Sequence, residues 1–413
     1  MAKIAYTSDT TGTDSFMPSG SYSLTTEYIW GAPLIIVNYE TADSYGISKI
    51  AFMGTNLKAD QYGFISGTIT YFQAYLPSER VALSITDLNL RAFNVNLYMG
   101  GDVVEGALLS GNDVITGTSG ADSFRSGAGN DTVRGGGGDD IFRDSSGRDT
   151  YDGGSGIDTA DYSMVQFDSW HDTKGITANL LTGKVVDPWG YTDTLISIEK
   201  IAGTHKADTL IGSNKSDAEY FRGLAGNDTI NGGGGTQDWV DYSAESWLGG
   251  RSGVKVDLAK GKATDSFGDT DKLLNIENVI GTSSADSLTG NSRFNHLRGD
   301  GGNDVIRGNG GGDILEGGDG NDTLIGTKGS QDYFSFIDRG FFSGASALGT
   351  DRITSFRDGE DRIMFQDIDG IDSRANLKLV QSGANVIITY DTDKIIVENI
   401  TVSKLTAADF IFL

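Results

Sequence analysis

The chain has no cysteine, which removes disulfides and thiolate metal sites from consideration. Histidine is nearly as scarce: His171, His205 and His296 are the three present in 413 residues. No HExxH occurs, so a zinc-protease site has no scaffold, and no G-x-S-x-G occurs, so a serine hydrolase has no nucleophile elbow. No apolar run approaches the ~18 residues of a membrane-spanning helix. The N-terminus, MAKIAYTSDTTG, lacks the basic and apolar regions of a cleavable signal peptide. Export by a route that does not read the N-terminus is therefore the expectation. Positive charge is also short, with 32 Lys and Arg against 57 Asp and Glu, a net charge of −25 and a pI near 4.3. Nucleic-acid phosphates need lysine and arginine, so such a partner is excluded. An acidic chain of this kind repels itself until cations neutralise it.

What is abundant is glycine, 59 residues, about double the usual ~7 % share. It is periodic. In GGNDVIRGNGGGDILEGGDGNDTLIG (301–326) an aspartate recurs every nine residues, at Asp304, Asp313 and Asp322. The same beat runs through Asp113, Asp122, Asp131, Asp140, Asp149 and Asp158, and again through Asp208 and Asp217, stretching to Asp228 and Asp238. A third run is Asp286, Asn295, Asp304, Asp313 and Asp322, with asparagine replacing one acid. A longer repeat lies over it: GITANLLTGK (175–184) aligns with GVKVDLAKGK (253–262), and SIEKIAGTHKAD (197–208) with NIENVIGTSSAD (275–286), both offset by 78. Repeats of this kind build solenoids. Alternation at Val254, Val256 and Leu258 marks each insert as strand.

One nonapeptide reads as a glycine turn, an aspartate and a short strand. Glycine allows positive φ in the turn, and one aliphatic per unit, here Val305, Ile314 and Leu324, supplies the core. Two units close a coil of 18 residues, so aspartates 18 apart stack in files: Asp113, Asp131 and Asp149 in one, Asp122, Asp140 and Asp158 in the other. Files of carboxylates beside glycine carbonyls offer hard oxygen at flexible spacing. Calcium prefers this, taking six to eight oxygens at roughly 2.3–2.6 Å, whereas magnesium demands a tighter octahedron.

The units GGNDVIRGN, GGGDILEGG and DGNDTLIGT resemble the RTX, or hemolysin-type, calcium-binding repeat GGxGxDxUx over roughly 111–332. The resemblance implies a parallel β-roll with calcium between successive turns, roughly 6–10 ions in all. It implies side-chain ligands at Asp131, Asp140, Asp304, Asp313 and Asp322, and, with fewer glycines around them, at Asp113, Asp122, Asp149, Asp158, Asp208, Asp228 and Asp286. Asn295 departs from the pattern. The glycines implied in the sites are Gly127, Gly129, Gly136, Gly138, Gly301, Gly310, Gly312, Gly318 and Gly320. The segment DRITSFRDGEDRIMF (351–365), with the terminal LTAADFIFL, resembles the cap and secretion signal of these proteins, which implies a type I secretion transporter as partner. The stretch FMGTNLKADQYGFISGTITYF (52–72) looks like a small domain found ahead of such repeats.

The expected fold is mainly β, an elongated β-roll or β-solenoid. A small α+β domain is expected over 1–108, with strand-like GTITYF (67–72) and a helix around DLNLRAFNVNLYM (87–99). A first roll block follows at 109–160, duplicated inserts at 161–285 around a central block near 203–238, a last block at 286–332, and a β cap at 333–413. His205 and His296 read as incidental. FDSWHD (167–172), holding Trp170, His171, Asp168 and Asp172, lies in one insert with DPWGY (187–191), and SAESWLGG (243–250) lies in the other. Paired carboxylates beside aromatic rings suit a glycan site, while tryptophans at 170, 189 and 247 equally suit covering the roll or meeting a neighbour. The chain therefore reads as a secreted calcium-binding protein, with no catalytic residue assigned. A surface-layer, adhesin or biofilm role, through self-assembly or cell-surface polysaccharide, stands against a secreted glycan-active enzyme or carbohydrate-binding protein.

Overall fold

The structure is a computed structural model. It describes residues 112–163, 174–337, 348–390 and 392–413. It also describes the backbone of the strands Ile4–Ser8, Tyr22–Ile29, Ala32–Tyr39, Lys49–Ala59, Ile65–Tyr75 and Val81–Arg91. FDSWHD lies outside the described residues. The chain divides into two compact units, Met1–Ala202 and Gly203–Leu413.

In the first unit the six N-terminal strands pair antiparallel in succession, and Val81–Arg91 then pairs with Val114–Thr116, the first strand of the roll. The expected helix over 87–99 is not formed where it is described: residues 87–91 complete the strand Val81–Arg91. Asp87, Leu88, Asn89 and Leu90 alternate with period two, and the neighbouring Ile65–Tyr75 offers a backbone ladder to that pattern. The described part of this region is thus a β meander rather than α+β.

In the first and last blocks each nonapeptide folds as a glycine turn and a strand of three to six residues, with parallel partners one 18-residue coil apart, a step that lengthens to 19 or 20 in the central block. Val114–Thr116, Thr132–Gly137 and Thr150–Ser155 form one parallel ladder, and Ser123–Arg125, Ile141–Arg143 and Thr159–Asp161 the other. After Asp161 the chain leaves the ladder for an insert and returns as Thr192–Ile196, which pairs antiparallel with Lys184–Val186 and parallel with Thr150–Ser155.

The second unit repeats this design. Its insert strands Lys255–Asp257, Lys262–Thr264 and Thr270–Leu274 each lie 78 residues beyond their counterparts, and Val254, Val256 and Leu258 are buried as the alternation requires. The parallel ladders continue through the last repeats and the C-terminal region: Leu315 lies beside Phe334, Phe334 beside Ile363, and Ile363 beside Phe410. There Phe365 gathers the rings of Phe336, Tyr390 and Phe412 at centroid distances of 5.7, 5.1 and 5.6 Å.

The core is one side chain from the middle of each short strand. Ile115, Val133, Tyr151, Phe124 and Phe142 fill it in the first unit, and Leu288, Ile306, Leu324, Leu297 and Leu315 in the second, each at most 4 % exposed. Among the expected anchors, Leu324 holds its place, but Val305 is 39 % exposed and Ile314 faces partly outward. Successive side chains on a strand alternate, so with the aspartate turned inward the anchor is the second residue after it, Ile306 or Leu315. Truncating Ile306 to alanine is expected to cost about 2–5 kcal/mol, and Val305 to alanine no more than about 0.5 kcal/mol. Chemical denaturation in saturating calcium measures both.

Candidate metal sites

The repeat aspartates stand at the head of each strand with their side chains drawn into the turn. All twelve expected ligand aspartates are buried except Asp122, which is half-buried. In each file one carboxylate oxygen accepts the backbone N–H of the residue one coil earlier. Asp131 Oδ1 accepts from Asp113 at 2.7 Å, Asp149 from Asp131 at 2.7 Å, Asp140 from Asp122 at 2.8 Å and Asp158 from Asp140 at 2.8 Å. In the second unit Asp304 accepts from Asp286 at 2.7 Å and Asp322 from Asp304 at 2.8 Å. The stacked acids are therefore bonded through the backbone, and their mutual repulsion falls on the other oxygen.

That second oxygen separates most of the turns into two kinds, Asp149 apart, whose Oδ2 faces the Tyr151 hydroxyl at 3.1 Å. In one kind it is closed off by a threonine four residues earlier. Asp122 Oδ2 accepts the Thr118 amide at 2.6 Å, Asp208 Oδ2 the Thr204 amide at 2.7 Å, and Asp286 Oδ2 the Thr282 amide at 2.6 Å, and each threonine hydroxyl donates to the same carboxylate. Asn295 belongs with them, its Oδ1 accepting the Asn291 amide at 2.7 Å while its side-chain N–H donates to the Glu277 carbonyl. In the other kind the second oxygen is buried with no hydrogen-bond partner: Asp131, Asp140, Asp158, Asp228, Asp304, Asp313 and Asp322. Buried polar atoms are rarely left so, and seven of them in equivalent places call for a cation.

Six of the seven open turns, all but Asp131 with Ser126, have a glycine five residues before the aspartate, as the threonine-closed turns also do. A Cβ on Gly135 would lie 2.0 Å from Asp140 Oδ2 and 2.8 Å from the Gly153 carbonyl oxygen. On Gly299 it would lie 2.0 Å from Asp304 Oδ2 and 2.6 Å from the Gly317 oxygen. Space that a methyl group would fill thus joins a carboxylate oxygen to a carbonyl of the next coil. This is the hard, anionic donor set that suits calcium. Gly127, Gly129, Gly136, Gly138, Gly310, Gly312, Gly318 and Gly320 all carry positive φ, whereas Gly301 does not and lies within the strand His296–Gly301. At Gly318 (φ +98°) a Cβ would also meet the Asp300 carbonyl oxygen at 2.0 Å, so both conformation and approach require glycine there.

The sequence reading did not single out the glycines at 135, 299, 308 and 317, although their fixed place five residues ahead of an aspartate is visible in the chain. The files also run further than the nine-residue beat. Asp193 accepts from Asp149 at 2.9 Å, Asp271 from Asp228 at 3.1 Å, Asp351 from Asp322 at 2.9 Å, and Asp332 from Asp313 at 3.0 Å. Their sequence separations of 44, 43, 29 and 19 residues give no periodic signal. In the central block the beat misleads. Asp217 is exposed, and Glu219 takes the place in the file, its Oε2 accepting the Ser213 amide at 2.7 Å. His205 packs its ring edge against Phe267, and His296 lies against Trp239 and Glu316. Trp247 is 80 % exposed and Trp189 half-buried.

Burial raises these carboxylates without a metal. Desolvation is the largest cause throughout, with neighbouring acids of the same file adding to it. Asp304 and Asp228 are pushed up to about 9, Asp313 to about 8, Asp131 and Asp322 to about 7, and Asp140 to about 6. A carboxylate raised on folding lends stability while protonated and loses it as pH climbs through the folded value.

Two outcomes follow. Asp304→Asn or Asp313→Asn should each lower the number of calcium ions bound, while Asp208→Asn and Asp286→Asn, in threonine-closed turns, should leave it unchanged; equilibrium dialysis counts them. In a strong chelator, stability should fall as pH rises from about 5 to 9, and calcium should bind more tightly over the same interval while releasing protons. Denaturation series, and calorimetric titration in buffers of different ionisation enthalpy, read the two effects.

A family model described as "RTX calcium-binding nonapeptide repeat (4 copies)" matches residues 109–142, 126–160, 214–236, 280–315 and 307–330. The matched ranges hold all seven open-turn aspartates together with the closed turns at Asp122, Asp286 and Asn295, and leave out the closed turn at Asp208. No curated protein gives a significant match. Among solved structures, the extracellular lipase LipA from Serratia marcescens aligns at 16 % identity with a TM-score of 0.20. The alignment covers 72 % of this chain and 39 % of the lipase, so the chain spans about two fifths of that protein's length. The turns within the matched ranges are RTX calcium-binding nonapeptide repeats, which bind calcium, and they form a β-roll in a chain that is mainly β.

Proposed function

We propose that this protein is secreted, folds when it meets extracellular calcium, and then serves as a structural component of a cell surface or matrix. The observation that carries the reading is the set of unpartnered carboxylate oxygens at the open turns, which at Asp140 and Asp304 lie beside a glycine that admits a carbonyl of the next coil. Asp131, Asp140, Asp158, Asp228, Asp304, Asp313 and Asp322 are the ligands assigned on that ground. Without calcium the core is one side chain per strand, and buried acids oppose folding at neutral pH. With calcium, a ligand that binds only the folded form draws the equilibrium toward it by mass action.

Export fits the same physics. The terminal strand Phe410–Phe412 pairs with Arg362–Gln366, and Phe410 and Phe412 stack on Phe365. A type I transporter that reads this end must therefore read it before the roll closes, and low cytosolic calcium keeps it open. Among the described residues no helix is long and apolar enough to cross a membrane.

A second reading has its own observation. Tyr220 and Trp239 stack at 5.9 Å with planes 10° apart, and His296 meets Trp239 at 5.0 Å. Ion pairs Arg222–Asp241 and Arg298–Asp300 flank these half-buried rings. Rings beside charged hydrogen-bonding groups are a platform on which a sugar can stack.

One preparation tests both. In calcium, circular dichroism should show cooperative gain of β signal, and electron microscopy should show sheets or filaments that a chelator dissolves. A spectrum indifferent to the chelator would sink calcium-coupled folding. A dispersed monomer that retains a polysaccharide, losing it on Trp239→Ala, would replace the structural role with the second reading.

A further inference from the structure

We propose that the seam where the first roll block meets its insert holds a second kind of calcium site, with Asp144, Asp149 and Asp193 as its side-chain ligands. It differs from the open turns in its donors, and two of its three ligands, Asp144 and Asp193, stand outside the nonapeptide pattern. One carboxylate oxygen from each of the three residues lies within 4.8 Å of the others. All three residues are buried, with exposures of 7, 1 and 0 %.

The residue that changes the chemistry is Asp144. It stands five residues before Asp149, where the turns at Asp140 and Asp158 carry Gly135 and Gly153 and the preceding coil carries Ser126. In place of a close backbone approach, the seam has a third carboxylate. Asp144 Oδ2 has no hydrogen-bond partner. Its Oδ1 and Asp149 Oδ2 both face the single hydroxyl of Tyr151, at 3.0 and 3.1 Å, and that hydroxyl can donate to only one of them. Asp193 Oδ2 accepts from Tyr162 at 3.2 Å. Among the described residues no lysine or arginine forms an ion pair with any of the three. Asp187, 3 % exposed and with its own Oδ2 unpartnered, adds to the field they share. Three buried carboxylates with two phenolic hydrogens and no cationic side chain need a cation, and an all-oxygen, anionic set selects calcium.

The duplicated insert supports this from a separate part of the chain. Tyr242 donates to Asp271 Oδ2 at 3.2 Å, as Tyr162 does to Asp193. Glycine stands at 223, five residues before Asp228, so the counterpart of Asp144 is missing there. A different segment brings Glu245, fully buried with Oε1 unpartnered. Glu245 lies in the field of Asp271 and Asp265, but among the described residues the three-carboxylate cluster is found at the first seam alone.

The decisive experiment is anomalous diffraction from crystals of the full chain grown in calcium and exchanged into terbium. A peak among Asp144, Asp149 and Asp193 is expected. Peaks at the glycine turns with none at the seam would overturn this proposal alone, and no peak anywhere would overturn it together with the assignment of the open turns. In solution, Asp144→Asn and Asp144→Ser, the second installing the residue of the preceding coil, should each bind one calcium fewer than the parent by equilibrium dialysis. Their β circular dichroism in calcium should be retained. An unchanged count in either folded variant would overturn the site.

Discussion

The structure depends on what the two oxygens of one aspartate do. The first takes a backbone N–H from the coil before and so locks the register of successive turns. The second is closed by a threonine, left bare or, at Asp149, turned toward the Tyr151 hydroxyl. A parallel roll with three-residue strands has little else to fix its register, because each strand contributes one core side chain and three ladder positions. Carboxylates at every edge do this, but they bring into the interior a charge that the protein itself does not neutralise. Calcium is the counter-charge that lets the same residues serve as register pins.

Hence the roll resolves into turns that leave a carboxylate oxygen bare and turns that do not. The threonine-closed turns at Asp122, Asp208 and Asp286 supply amide and hydroxyl donors where the open turns leave an oxygen bare. Such turns can form without metal and lie at or near the place where a block of open turns begins.

The inserts use the same logic with different donors. Each leaves the roll after a D-Y-S phrase and returns through a strand whose aspartate, Asp193 or Asp271, rejoins the file. The tyrosine of the phrase turns its hydroxyl onto that returning aspartate. A long excursion from a parallel ladder risks re-entry out of register, and a buried tyrosine–aspartate bond at the point of return specifies one register.

The sequence by itself determined the repeat, the 18-residue coil, the inward aspartate and the strand character of the inserts, since each rests on a local period that survives in one dimension. It also carried the signal of the close-approach glycines, five residues ahead of the acid, though glycine is so common here that these were passed over for their neighbours. Only the tertiary structure decided which oxygens are bare. Whether Thr282 closes Asp286, or Asp144 joins Asp149 and Asp193, depends on hydrogen bonds and distances across coils that no nine-residue period encodes. The same holds for Ile306 over Val305 as anchor, set by alternation from an inward aspartate, and for residues 87–91 as strand, set by a neighbouring ladder rather than by helical spacing. Local period names the element and its ligand chemistry; burial and cross-coil pairing decide which carboxylates are left for a cation.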